Sequence, residues 1–160
     1  MCFVNNLQIS LSTAKFSAYA SVASANFTTG TVTIPIDTVA YTSGSSDFTI
    51  SSNVITVGRA MLALVSYNAS IDVTSIDHRT ACRLDLKQTA LSGSGFSIVR
   101  GATSFTYNRN PAQGEGSASV SLIVAFAVDD ELYVEVSKEQ ATSANMATIA
   151  DACSVSIVEI

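Results

Sequence analysis

Apolar and polar residues alternate along most of this chain, which is the period of a β-strand with one buried face. The longest alternating ladder runs from Val120 to Val128 and ends at the acidic turn Asp129–Asp130. About ten short strands follow from the pattern, at the spacing of roughly 8–12 residues that is typical of all-β domains. Their apolar positions are Phe16, Ala18, Ala20 and Val22; Val32, Ile34 and Ile36; Phe48 and Ile50; Ile55 and Val57; Cys82, Leu84 and Leu86; Phe105 and Tyr107; Val120, Leu122, Val124, Phe126 and Val128; Leu132, Val134 and Val136; and Val155 and Ile157. The pattern predicts an all-β fold of antiparallel strands in a single domain, a sandwich or a barrel-like jelly roll.

Two stretches depart from simple alternation. Residues 60–65 are apolar at every position, as in a strand that is covered on both faces. A buried helical turn is the competing interpretation, but the β-branched and aromatic residues that follow favour a strand. Residues 141–151 show no clear period and are predicted to form a loop, with or without one helical turn.

The first 14 residues continue no neighbouring strand pattern. Residues 1–14 are therefore predicted to be an N-terminal arm, and residues 15–160 the jelly-roll domain. The arm carries four spaced apolar side chains that an extended segment could lay on a partner, namely Phe3, Leu7, Ile9 and Leu11. The alternative is that the arm folds back as an edge strand of its own domain.

Composition excludes several classes of protein. Eight basic residues against thirteen acidic ones give a net charge of −5, so no cationic face and no nucleic-acid partner are expected. The longest apolar run, from Leu122 to Val128, is far shorter than the about 20 residues of a membrane-spanning helix. The mean hydropathy of +0.36 is high for a small soluble monomer and favours an oligomer with an apolar interface. A monomer with an unusually apolar core is the alternative.

The residue types needed for catalysis or metal binding are scarce. His78 is the only histidine and lies in a predicted polar connection, so no Ser-His-Asp or histidine-rich metal site is expected. The run Asp129–Glu131, helped by Asp72 and Asp77, could hold a hard cation, but a solvated turn is the preferred interpretation. The three cysteines share no CxxC spacing and are predicted to be unpaired. We expect no enzyme, no cofactor and no metal.

Several segments follow one another in a recognisable order. They are Lys15–Ser21 as a first strand, Ile34–Val39 as a short second strand, Phe48–Ser51 with Ile55–Val57, Gly58–Tyr67 as the central strand, Ser117–Asp130, and Ala152–Ile160 as the closing strand. In this order they resemble the complement C-one-q globular head, a member of the tumour-necrosis-factor-like jelly rolls. Met61 and Leu62 stand where the family usually has a tyrosine. The resemblance implies a ten-stranded jelly roll and a tight homotrimer, for which Tyr67, Phe126 and Tyr133 are the candidate interface residues.

Two functions of different class are compatible with these observations. The preferred one is a structural virion protein of a tailed bacteriophage, a trimeric head decoration or cement protein. Such a protein would be made in the host cytoplasm and bound to the major capsid protein at the capsid surface, since no secretory signal and no stalk are recognisable. The alternative is a binding module: a receptor- or glycan-binding tip of a phage tail fibre, or a secreted C-one-q-like head.

Overall fold

The computed structural model describes residues 13–44, 46–74, 79–89, 95–109, 114–139 and 144–160, and these fold into a sandwich of two antiparallel sheets. No helix among them is long and apolar enough to cross a membrane. The strands are β1 (Lys15–Tyr19), β2 (Thr31–Thr33), β3 (Thr38–Thr42), β4 (Phe48–Ser51), β5 (Val54–Val57), β6 (Met61–Val73), β7 (Thr80–Thr89), β8 (Phe96–Asn108), β9 (Gly116–Phe126), β10 (Asp130–Lys138), β11 (Met146–Thr148) and β12 (Ser154–Glu159).

The first sheet is built around β6. Leu64 of β6 pairs with Ile123 of β9 on one edge and with Val158 of β12 on the other. The short strand β11 continues along the β12 edge, because Ile71 pairs with both Gly116 of β9 and Thr148 of β11. Beyond β12 the sheet continues with β1 and ends at β3.

The second sheet is built around β10. Along one edge β10 pairs with β7, which in turn pairs with β8. Along the other edge it pairs with β5 and β2, and β5 pairs with β4. The second sheet therefore combines two pairs of consecutive strands, β4–β5 and β7–β8, with β10 between them. Strands β8 and β9 lie at the same flank of the sandwich.

The core lies between the two sheets and is built from alternate residues of both. The ring of Phe16 from the first sheet packs on that of Phe48 from the second, with centroids 5.0 Å apart. The hydroxyl of Tyr67 on β6 crosses the core and donates to the carbonyl oxygen of Ala102 on β8. Burial raises the pKa of this tyrosine, which keeps its hydroxyl a donor. Packing and one buried hydrogen bond thus join the layers.

The predicted fold class is confirmed, and most of the predicted strands are present. β11 was not predicted, because its residues show no alternation in the sequence. The predicted second strand Ile34–Val39 is largely absent: residues 34–37 connect β2 to β3, and only Thr38 and Val39 belong to β3. The ladder on β9 ends earlier than predicted. Val124 and Phe126 are buried, whereas Val128 lies in a turn and is 57% exposed.

Strand β8 presents its polar side to the core. The alternation predicted Phe105 and Tyr107 as its apolar core face, but they are 60% and 52% exposed, while Thr106 and Asn108 are buried. The amide nitrogen of Asn108 donates to the carbonyl oxygens of Ile71 and Gly114 at 2.8 and 2.7 Å, which satisfies both N–H groups, while its Oδ1 atom has no hydrogen-bond partner among the described residues. The predicted strand is correct, and the predicted face is wrong.

Candidate interaction surfaces

The outer face of the first sheet carries an uncovered apolar area at one end, which we call the apolar end. It consists of Leu62, Leu64, Ile123, Val158 and Ile160. Leu64 stands between Ile123 and Val158 in the strand register, so three apolar side chains lie in a row across β9, β6 and β12. Ile123 is 61% exposed, Leu62 47% and Leu64 40%. Exposed apolar side chains that are contiguous in this way mark interaction surfaces more often than scattered ones do.

The other end of the same face is lined by serines. Two cross-strand pairs join β6 to β9 through their hydroxyls, Ser66 with Ser121 and Ser70 with Ser117, each with an Oγ–Oγ distance of 2.8 Å. Ser119, Ser154 and Ser156 lie on the same face. Short side chains leave this part of the sheet flat, so a second surface can approach it closely.

A charged network lies at the start of the domain, where the predicted arm would join it. The guanidinium of Arg59 donates to Glu159 through Nη1 at 2.7 Å, and its Nε lies 3.2 Å from Asp47. Glu159 also accepts the backbone N–H of Ala14 at 2.8 Å. Its hydrogen bond with Arg59, followed by that with Ala14, lowers the pKa of Glu159 to about 2. Residue 13 therefore leaves the sandwich beside β12, next to the apolar end.

The interface residues predicted from the sequence lie elsewhere. Tyr67 and Phe126 are 2% and 4% exposed and point into the core, so they are not on a surface that a neighbouring molecule could contact. Tyr133 lies on the outer face of the second sheet, where its ring packs edge-on against Phe96 with centroids 4.7 Å apart. Leu62, Leu64 and Ile123 replace them as candidates. The sequence signal for Leu62 and Leu64 was the stretch that is apolar on both faces.

The arm residues Phe3, Leu7, Ile9 and Leu11 lie outside the described residues, and their role stays a prediction. Ala14 does not belong to a separate arm in the structure: it is fully buried, and its carbonyl oxygen accepts the N–H of Glu159. The domain therefore begins at residue 14 or earlier.

The acidic turn between β9 and β10 is a turn, as predicted, but not a solvated one throughout. Asp129 has a φ of 64° and is exposed, whereas Asp130 is buried. Asp130 accepts the N–H of Ala127 at 2.8 Å and the amide of Gln88 at 2.9 Å, so its carboxylate caps the turn. His78 and Asp77 lie outside the described residues. Within the described ranges no three histidine, cysteine or acidic side chains are close enough to hold a metal ion.

Two of the three cysteines lie in the described part of the chain, and both are free and buried. The Sγ atom of Cys82 lies 3.2 Å from the sulfur of Met146, and burial raises the pKa of its thiol to about 12. Burial also raises the pKa of Cys153. Both side chains act as small apolar residues, as predicted. Cys2 lies outside the described residues.

The sequence matches no family model and no curated protein. Solved structures resemble the fold. Murine APRIL at pH 5.0 aligns with 92% of this chain and 99% of its own, with a TM-score of 0.65 and 6% identity. The Eiger TNF from S. frugiperda aligns over 92% and 91%, with a TM-score of 0.64 and 11% identity. The globular domain of the zebrafish complement 1qA protein aligns over 92% and 96%, with a TM-score of 0.56 and 11% identity.

The fold is a tumour-necrosis-factor-like jelly roll. At 6–11% identity these likenesses show the fold alone. Both groups named in the sequence resemblance are among the structural neighbours.

Proposed function

We propose that this chain is a homotrimeric attachment module whose protomers meet through the outer face of the first sheet. The observation that carries the proposal is the apolar end. Its central strand β6 has apolar residues on both faces at Met61–Val65, yet the described chain covers only the inner face. A strand with this pattern is normally covered on both sides. A second copy of the chain covers the outer face of β6 in the trimer.

A ring of three copies needs two different surfaces that fit each other, because a cyclic contact joins unlike patches. At the far edge of the first sheet, Tyr41 of β3 is 56% exposed and lies opposite Ser17, on the outer face. We infer that β3 of one copy packs against the apolar end of the next. The flat serine-lined area between them allows the two sheets to approach closely.

We further propose that the trimer is a structural virion protein, a cement protein that decorates the capsid of a tailed bacteriophage. Its partner would be the major capsid protein, its location the capsid surface, and its role non-enzymatic. Support comes from the junction of the arm. Residue 13 leaves each domain beside the apolar end, so three arms would leave the trimer from equivalent positions and could engage the shell together.

Light scattering of the purified protein tests the trimer. We expect three times the chain mass of 16.7 kDa at micromolar concentration. Leu64→Glu should give a folded monomer, because it places a carboxylate in the centre of the contact. Val22→Glu is the matched control, since Val22 is 53% exposed in a loop outside the sheet, and it should remain a trimer. A monomeric parent protein contradicts the proposal.

Binding to phage heads tests whether the trimer is a capsid cement protein. Heads that lack this protein are mixed with the purified trimer and separated on a density gradient, and we expect the trimer to sediment with the heads. Tail fibres from the same virus are the comparison. Binding to fibres and not to heads would assign the protein to the tail.

A further inference from the structure

The basic residues of this acidic chain are concentrated on one hairpin, formed by β7 and β8. Residues 79–109 contain five basic side chains and one carboxylate, a net charge of +4, while the remaining three basic and twelve acidic residues carry −9. The basic residues are Arg79, Arg83, Lys87, Arg100 and Arg109. A count over the whole chain averages this hairpin with its acidic surroundings. Lys87 pairs with Glu135 of β10 and Arg83 with Asp85, so Arg79, Arg100 and Arg109 are the basic side chains of the hairpin that form no ion pair with any described residue. A local positive field of this kind attracts anionic ligands.

The same hairpin exposes the aromatic side of β8. Phe105 and Tyr107 are two residues apart, so their Cα atoms lie about 7 Å apart on one face of the strand. At 60% and 52% exposure both rings are open to solvent. Their position opposite β7 places Phe105 beside Arg83 and Tyr107 beside Ala81.

Ala81 lies beside Tyr107, and its methyl group is the smallest side chain in this part of the face. Arg83 lies two residues further along β7 on the same face as Ala81. Arg79 immediately precedes β7, and Arg109 immediately follows β8, so both lie at the end of the hairpin nearest to Ala81. A methyl group among longer side chains implies a shallow depression, with Ala81 as its floor, the aromatic side chains of β8 on one side and Arg83 at one end. We call it the Ala81 depression.

Most of its guanidinium groups are available for a ligand. Arg79 and Arg109 are exposed, and neither forms an ion pair with any residue that the structure describes. Arg83 forms an ion pair through Nε, 2.8 Å from Asp85, and within the described ranges its terminal nitrogens form none. The exposed carboxylate of Glu139 lies near Ala81, because the backbone N–H of Glu139 donates to the carbonyl oxygen of Ala81. Its Oε1 atom accepts a hydrogen bond from the hydroxyl of Ser137 at 3.3 Å.

We propose that the Ala81 depression binds an acidic oligosaccharide, one that carries carboxylate or sulfate groups. A pyranose ring has a C–H face that packs on an aromatic ring, and guanidinium groups bind carboxylate and sulfate through paired charge-assisted hydrogen bonds. The apolar part is too small for a protein partner, since it comprises two rings and a methyl group, whereas a stable protein interface takes about 20–30 residues a side. This inference goes beyond the proposed assembly, because the site lies within one protomer.

Isothermal titration calorimetry with the full chain tests the proposal. The probes are a heparin oligosaccharide, which is sulfated, and an oligogalacturonate, which carries carboxylates alone; the one that binds more tightly identifies the anionic group. A neutral maltooligosaccharide, polyglutamate and an oligothymidylate are the comparisons. Arg79→Gln, Arg109→Gln and Phe105→Ala should each weaken binding roughly tenfold or more, as loss of a charge-assisted bond or of a stacked ring does.

Arg100→Gln is the matched control. It removes the same charge from the same hairpin, but Arg100 lies in the bulge of β8 next to Gly101, away from the depression. We expect its effect to stay within about threefold, since only long-range attraction is lost. If Arg100→Gln weakens binding as much as Arg79→Gln, the attraction is diffuse and the site is refuted.

Three further results overturn the proposal. The first is that neither acidic oligosaccharide binds. The second is that the neutral maltooligosaccharide binds as tightly as the acidic ones, and the third is that polyglutamate or oligothymidylate does so. Light scattering of the same samples separates this inference from the assembly. A monomer that binds the oligosaccharide refutes the trimer alone, and a trimer that does not bind refutes this site alone.

Discussion

At the scale of single residues, Val124 tests which face of β9 is buried. Val124 is 4% exposed and lies opposite Ala63 in the register. Val124→Asp would bury an unpaired carboxylate, so the free energy of unfolding should fall by roughly several kcal/mol. Val128→Asp is the control, because Val128 continues the same alternation but is 57% exposed, and it should change stability by about 0.5 kcal/mol or less. Urea denaturation measures both; equal loss in the two variants would contradict the face assignment.

Glu159 gives the stability of the domain a defined dependence on pH. The hydrogen bond from Arg59 lowers its pKa in the folded protein from 4.5 to about 2. A lowered pKa stabilises the folded state above pH 4.5, and this contribution is lost as the pH falls towards 2. Glu159→Gln should therefore lower the Tm at neutral pH, and its difference from the parent should shrink between pH 4.5 and 2. Glu115→Gln, at an exposed glutamate, is the control. A Tm difference between Glu159→Gln and the parent that stays constant with pH would refute the argument.

At the scale of elements, the arm and the jelly roll are predicted to be separable. Deleting residues 1–12 leaves Ala14 and its hydrogen bonds with Glu159 in place. We expect the truncated protein to remain a folded trimer with the parental Tm and to lose binding to phage heads. If the arm is an edge strand of its own domain, the truncated protein will melt earlier. Parental binding to heads would show that the arm does not mediate attachment.

Strands β6 and β8 show at this scale why an apolar pattern and a buried face can differ. In β6 every residue from Met61 to Val65 is apolar, and the core takes only one side. In β8 the two aromatic residues stand on one side and Thr106 and Asn108 on the other, and the core takes the polar side. Gly116 permits this close packing, since a Cβ there would lie 2.3 Å from the Oγ1 atom of Thr106. Burial is set by which neighbour lies opposite, and alternation alone does not identify that neighbour.

At the scale of the whole molecule, assembly should be visible in the thermal stability. If folding and association are coupled, mass action raises the Tm of the trimer as protein concentration rises. We expect the Tm to increase between low-micromolar and high-micromolar samples of the parent, and to be independent of concentration for Leu64→Glu. Calorimetry at several concentrations measures this, and a parent Tm that does not change with concentration would contradict coupled assembly.

The sequence by itself determined the fold class, because a period of two is enforced wherever one face of a strand meets the core. It also determined which residue types for catalysis and metal binding are scarce, since these can be counted in the sequence. Only the tertiary structure decided where those residues meet. Tyr67 and Phe126 were predicted at a surface and lie in the core, and five basic side chains spread over residues 79–109 share one hairpin. The physical reason is that alternation divides a strand into two faces without identifying the buried one. A net charge, likewise, does not show where the charged side chains lie in the fold.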